Sequence, residues 1–148
     1  MAWKEFDYSL LSTRVDLGYR SFLKVTVHLN GTYLTLHAII DSGSQDTLIN
    51  QELLPVFNLQ TKKKPDSKIT GVGGGTKSGY NFDAVLEIDD YNHAKIKCPV
   101  IFTEFDADML LGQNSFFKNF NVLFKGREDT FQINKVENTK YSVRETKR

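Results

Sequence analysis

The segment Ala38-Ile39-Ile40-Asp41-Ser42-Gly43-Ser44 runs an apolar strand straight into a carboxylate, a hydroxyl and a glycine. A carboxylate placed directly after a buried strand is costly to desolvate, so it is expected to serve a nearby purpose. Downstream lies Ile69-Thr70-Gly71-Val72-Gly73-Gly74-Gly75-Thr76, a glycine-dense stretch between predicted strands. Its backbone is free to approach a ligand closely, as the tip of a mobile hairpin would. The third segment is Asp108-Met109-Leu110-Leu111-Gly112-Gln113-Asn114-Ser115-Phe116-Phe117, an apolar strand that ends in glycine and leads into a short helix.

Taken alone, Asp-Ser-Gly is equally good turn chemistry. All three segments in this order and spacing are more specific. Together they resemble the retropepsin-like aspartic proteases. That family has Asp-(Thr/Ser)-Gly-(Ala/Ser) after an apolar strand, a glycine-rich flap, and an apolar-apolar-Gly segment before a helix. The resemblance runs from about Leu23 to Phe124. It implies an all-β fold, a closed acid-protease barrel with one or two short helices and a single lobe per subunit.

The same resemblance implies hydrolysis of peptide bonds at Asp41, Ser42 and Gly43, with no cofactor and no metal. In such dyads two carboxylates held about 3 Å apart cannot both ionise comfortably, and they share one proton. The ionised carboxylate draws a proton from the water between them, and that water attacks the scissile carbonyl. The protonated partner donates to the carbonyl oxygen, and no covalent intermediate forms. Only one Asp-Ser-Gly occurs in the chain, so a homodimer is implied, with Asp41 of each subunit on the two-fold axis. Ser42 would hydrogen-bond across the dimer, and the Gly43 carbonyl would accept a substrate N–H. Ser44, Gln45 and Asp46 would line the cleft. Gly71, Val72, Gly73, Gly74 and Gly75 would form the flap tip, and Leu110, Leu111, Gly112, Gln113 and Asn114 would support the base. The substrate would be an extended peptide or unfolded protein, bound as an added β-strand.

Two departures from the family pattern stand out. Viral members often pair an acid two residues after the glycine with an arginine after the apolar-apolar-Gly segment. Here those positions are Gln45 and Gln113, and a side-chain amide pair is the expected substitute. The terminal segments do not match the family's short interface strands. A second reading therefore keeps the fold with little or no turnover, as a catalytically weak or inactive dimerisation or peptide-binding module. The intact Asp41-Ser42-Gly43-Ser44 favours the enzyme, because a binding module has no need of a paired acid.

The elements that must position these residues are mostly of period two. Val25, Val27 and Leu29 alternate with Lys24, Thr26 and His28, and Leu34, Leu36 and Ala38 follow Asn30-Gly31 with the same alternation. Asn-Gly between alternating runs signals a two-residue hairpin, because a type I′ turn needs positive φ at both central residues. The predicted register sets Val27 opposite Leu34, Val25 opposite Leu36, His28 opposite Tyr33 and Lys24 opposite His37. Further strands are predicted over Tyr80–Ile88, Ala94–Phe102, Val122–Phe124 and Thr130–Ile133, with short helices near Gln51–Leu54 and Gln113–Lys118. Phe6, Tyr8 and Leu10 hint at an N-terminal strand. The expected division is an extension over 1–21 that is a candidate interface strand, a protease domain over 22–136, and a polar tail over 137–148.

Composition narrows the partners. With 148 residues, 40% of them hydrophobic, one domain is expected to bury its core without staples. Nineteen basic against 18 acidic residues leave no net field to draw nucleic acid or an anionic membrane. The basic run Lys62-Lys63-Lys64 before Pro65 reads as a solvated loop. No apolar run approaches the roughly 20 residues that span a bilayer, and the acidic residues near the N-terminus do not suit a secretory signal. A cytoplasmic location is expected, which one cysteine also fits. Cys98, in an apolar strand before Pro99, reads as a buried inert thiol. His28, His37 and His93 read as surface histidines rather than metal ligands. Gly71–Ser78 is one substitution from a phosphate-binding loop, but such a loop must lead into a helix. Gly79-Tyr80-Asn81-Phe82 reads instead as turn and strand.

Overall fold

The computed structural model describes residues 2–10, 19–62, 64–70 and 75–137. Strands β1 (Lys4–Asp7), β2 (Ser9–Leu10) and β3 (Tyr19–Arg20) precede the hairpin of β4 (Phe22–Leu29) and β5 (Thr32–Ile40). Asn30 and Gly31 take φ of 53° and 73°, the geometry that a type I′ turn demands. The hairpin register is the predicted one, with Val27 opposite Leu34 and His28 opposite Tyr33.

After β5 come β6 (Leu48–Asn50), a 3-10 helix (Gln51–Phe57), β7 (Ser67–Thr70), β8 (Thr76–Ile88) and β9 (Ala94–Thr103). The chain finishes with β10 (Met109–Leu111), helix α1 (Phe116–Asn119), β11 (Phe120–Lys125) and β12 (Thr130–Lys135). The 3-10 helix starts where the Asn50 side chain accepts the Glu52 N–H at 3.0 Å. It contains Pro55, whose missing N–H opposes a longer α-helix, and it ends at Asn58 in the left-handed region. β8 begins at Thr76, earlier than the predicted Tyr80, so strand rather than helix follows the glycine-rich stretch. That removes the phosphate-loop reading.

Hydrogen-bonding order along the main sheet is β4-β5-β10-β6-β9-β8-β7, and β4 also pairs with β8. This last pairing closes a six-stranded barrel. Closure removes open edges, except at β7, where a hairpin leaves the barrel. Alternation fills the interior: Leu23, Val25 and Val27 from β4, Ala84, Leu86 and Ile88 from β8, and Ile96, Cys98, Val100 and Phe102 from β9 are buried. Each of the Leu, Ile, Val and Phe side chains among them contributes about 1.5–3 kcal/mol by burial. Among the described residues no helix is long and apolar enough to cross a membrane.

A second sheet, β1-β12-β11, covers one side of the barrel. Phe6 stacks on Phe131 with ring centroids 5.3 Å apart, and Phe120 on Phe116 at 4.9 Å. Tyr91 joins the two sheets. It is 3% exposed, its hydroxyl donates to the Ala2 carbonyl at 2.8 Å and accepts the Lys135 N–H at 3.1 Å. Tyr91→Phe keeps the ring and strands both partners, so an unfolding free energy lower by about 1–3 kcal/mol is expected in urea titration.

Candidate active site

Asp41 is placed by three strands. β10 lies between β5, to which it is parallel, and β6, to which it is antiparallel. Leu111 therefore sits beside Ile40, and the next residue, Asp41, donates its N–H to the Leu111 carbonyl at 3.0 Å. The chain then turns tightly. Ser44 N–H returns to the Asp41 carbonyl at 3.1 Å, and Gly43 N–H donates to Asp41 Oδ1 at 2.9 Å. This last bond aims a half-buried carboxylate while leaving its other oxygen uncommitted to Gly43. A Cβ on Gly43 would approach Asp41 Oδ1 to 3.2 Å.

The segment after β10 locks that turn from below. Gln113 N–H donates to the Ser44 carbonyl and Asn114 N–H to the Gln45 carbonyl, each at 2.9 Å. Gly112 passes so close that a Cβ there would lie 2.2 Å from the Asp46 carbonyl oxygen. Its N–H donates to Thr47 Oγ1 at 3.1 Å, and Thr47 hydrogen-bonds to Ser115, both hydroxyls being buried. Nothing in the sequence singled out Thr47 and Ser115, because an isolated hydroxyl carries no pattern.

Above this base opens a cleft of about 450 Å³ lined by Asp41, Gly43, Ser44, Gln45, Asp46, Leu48 and Leu110. Its facing wall is Lys68, Ile69 and Thr70 of β7, which the sequence had not assigned to the cleft. β7 pairs antiparallel with the start of β8, Thr70 opposite Thr76, so the strands that flank the glycine-rich stretch in sequence run side by side. Gly71, Val72, Gly73 and Gly74 lie outside the described residues; Gly75 is exposed. Ser42 is exposed, and its carbonyl accepts the Gln113 side-chain amide at 2.8 Å. A larger groove, about 780 Å³, lies by Tyr33 and Pro99 and includes none of these residues. Size therefore does not identify the site; chemistry does.

The sequence model for "gag-polyprotein putative aspartyl protease" matches residues 25–119, which runs from within β4 to the end of α1 and includes every base residue just described. The chain belongs to that family. The chain is similar in fold to a retropepsin-like aspartic protease from Rickettsia conorii, with TM-score 0.57 and 12% identity over 89% of this chain and 98% of that one. A second similar structure is the EIAV protease complexed with the inhibitor HBY-793, with TM-score 0.49 and 18% identity over 68% of this chain and 88% of that one. No curated protein sequence matches.

The family member departs from the expected amide pair. Gln45 and Gln113 do not bond to each other: Gln45 Nε2 donates to Asn114 Oδ1 at 3.1 Å, while Gln113 reaches Ser42. Asn114 also donates to Asp46 Oδ1 at 2.8 Å and so bridges both cleft residues. The physical reason is register. Asn114 is already held over Gln45 by its own backbone N–H, which leaves Gln113 facing the other side of the turn.

Cys98 is buried and free, as expected. Burial pushes its thiol up to about 11, opposed by a hydrogen bond with Ser115. The folded state therefore holds the proton more tightly than the unfolded one. This thiol's contribution to stability is complete below the unfolded pKa near 9 and is lost as pH rises towards 11. Iodoacetamide at pH 8 is expected to leave native Cys98 unmodified and to label it fully in urea, checked by intact mass.

Proposed function

We propose that this protein is a homodimeric aspartic endopeptidase that hydrolyses extended peptide or unfolded protein segments with one Asp41 from each subunit. The observation that carries this reading is the Asp41 turn itself. A carboxylate oriented by the Gly43 N–H stands at the floor of a cleft whose opposite wall is a strand leading into glycines. In the dimer, one Asp41 carboxylate would activate water and the other, protonated, would donate to the scissile carbonyl oxygen. Ser42 would brace the pair across the two-fold axis. The Gly43 carbonyl, Ser44, Gln45 and Asp46 would hold the peptide backbone, and Gly71 to Gly75 would close over it as a flap. Leu110 to Asn114 would keep the base rigid. A soluble, cytoplasmic protein without metal or cofactor in its active site fits this chemistry.

Cleavage of a peptide library between pH 4 and 7 tests the reading. We expect the best rates at acidic to mildly acidic pH, where a dyad holds one proton between two carboxylates. Sedimentation gives a separate check. A strict monomer at high concentration is incompatible with a shared dyad, whereas a dimer without cleavage would instead favour the peptide-binding module.

A further inference from the structure

On another face of the barrel, the fold gathers residues that the sequence keeps apart. Glu87, near the end of β8, accepts from His28 of β4 and from His93 in the turn before β9. His28 Nε2 lies 2.9 Å from Oε1, and His93 Nδ1 lies 2.6 Å from Oε2. Asp89 stands beside them, and the ligand atoms of Glu87, Asp89 and His93 all fall within 4.8 Å of one another. None of the three lines the cleft around Asp41.

We propose that Glu87, Asp89 and His93 form a binding site for a divalent transition cation of the zinc type, with His28 as a positioning residue. Two carboxylate oxygens and one imidazole nitrogen are a borderline donor set, suited to Zn²⁺ more than to Ca²⁺, which wants six to eight oxygens. Tetrahedral zinc with bonds near 2.1 Å sets its ligand atoms about 3.4 Å apart, within a small rotamer change of the separations here. A cation between Glu87 Oε2 and His93 Nδ1 would replace the direct hydrogen bond between them.

Outer contacts already aim these ligands. His28 holds Glu87 Oε1 from the far side, so Oε2 is the oxygen presented to the site. The Thr26 hydroxyl lies 2.7 Å from Asp89 Oδ1 and equally near the Thr35 hydroxyl, which fixes the Asp89 carboxylate in turn. Orientation of ligands by such hydrogen bonds is typical of metal sites. The Asp89 N–H is tied to the Lys24 carbonyl at 3.2 Å, so the turn leaves β8 at a set angle. Asn92 and His93 both adopt positive φ, which folds the imidazole back over Glu87 six residues earlier. Lys95 opposes Glu87 across β9, but it is exposed and its long stem lets the ammonium move into water. Three protein ligands leave a fourth position for water.

Zn²⁺ titrated calorimetrically into the full chain at pH 7 is expected to bind at about one equivalent per chain. His93→Asn should weaken it at least about tenfold, since asparagine tolerates positive φ while removing the imidazole. Glu87→Gln should do the same, and His28→Ala should weaken binding by a smaller factor. His37→Ala, which removes an imidazole opposite Lys24 that is not among the ligands, should leave it unchanged. Co²⁺ gives an independent signal, a visible absorption band that His93→Asn abolishes without disturbing the far-ultraviolet spectrum of the fold. Absence of Zn²⁺ binding, or binding undiminished in folded His93→Asn, overturns the proposal.

Discussion

Asp41→Asn is expected to reduce peptide cleavage by at least about a thousandfold, which is on the order of 4 kcal/mol of lost transition-state stabilisation. The substitution keeps size and one hydrogen-bonding oxygen, so the Gly43 N–H retains an acceptor and the turn should survive. In the proposed dimer it removes both the base and the acid, because each subunit would carry the change. Mixing makes the prediction sharper. After subunit exchange, equal amounts of wild type and Asp41→Asn leave about a quarter of the dimers with two aspartates. Activity at fixed total protein should then fall to about a quarter of that of wild type. A fall to one half would mean that each subunit works alone, and unchanged cleavage in the pure variant would place the activity elsewhere.

Among the described glycines, Gly112→Ala should be the most destabilising replacement, by at least about 3 kcal/mol. Three atoms decide this: a Cβ would lie 2.2 Å from the Asp46 oxygen, 2.6 Å from the Asp46 carbonyl carbon and 2.8 Å from the Ser44 oxygen. All three are backbone. They belong to the turn that carries Asp41 and its cleft neighbours, so relief requires moving the site itself. With total stabilities of about 5–15 kcal/mol, a loss of this size removes a large fraction of the folding free energy. Urea denaturation measures it, and Gly126→Ala is the matched control, with nothing within 4 Å of its Cβ and an expected change within about 0.5 kcal/mol. Equal stabilities for the two variants would show that the Asp41 turn is more compliant than its close contact with Gly112 implies. Cleavage should fall along with stability in Gly112→Ala, because the same displacement tilts the Asp41 carboxylate.

Much of this architecture was legible in the residues alone, for local reasons. Asn30-Gly31 sets the hairpin and its register because two positive φ values in succession are affordable there and nowhere nearby. Period-two alternation reports which face of β4 and β5 points inward, since successive side chains leave a strand on opposite sides. The position of Asp41 at the end of an apolar strand, and the burial of Cys98, follow from the same alternation. Family likeness then supplied the closed barrel and the single lobe.

Pairings across long sequence separations were decided only by the folded chain. Asn114, not Gln113, meets Gln45, because the backbone bond between them exists only once β10 has been inserted between β5 and β6. The buried Thr47–Ser115 hydroxyls, and the cleft wall of Lys68 to Thr70, depend on that same insertion and on where β7 leaves the barrel. His28 and His93 were read as separate surface residues, yet both converge on Glu87 when β8 pairs with β4 and closes the barrel. Spacing along a chain encodes dihedral angles and facing; which distant side chains share a few ångströms is set by strand order and closure, and those are properties of the whole fold.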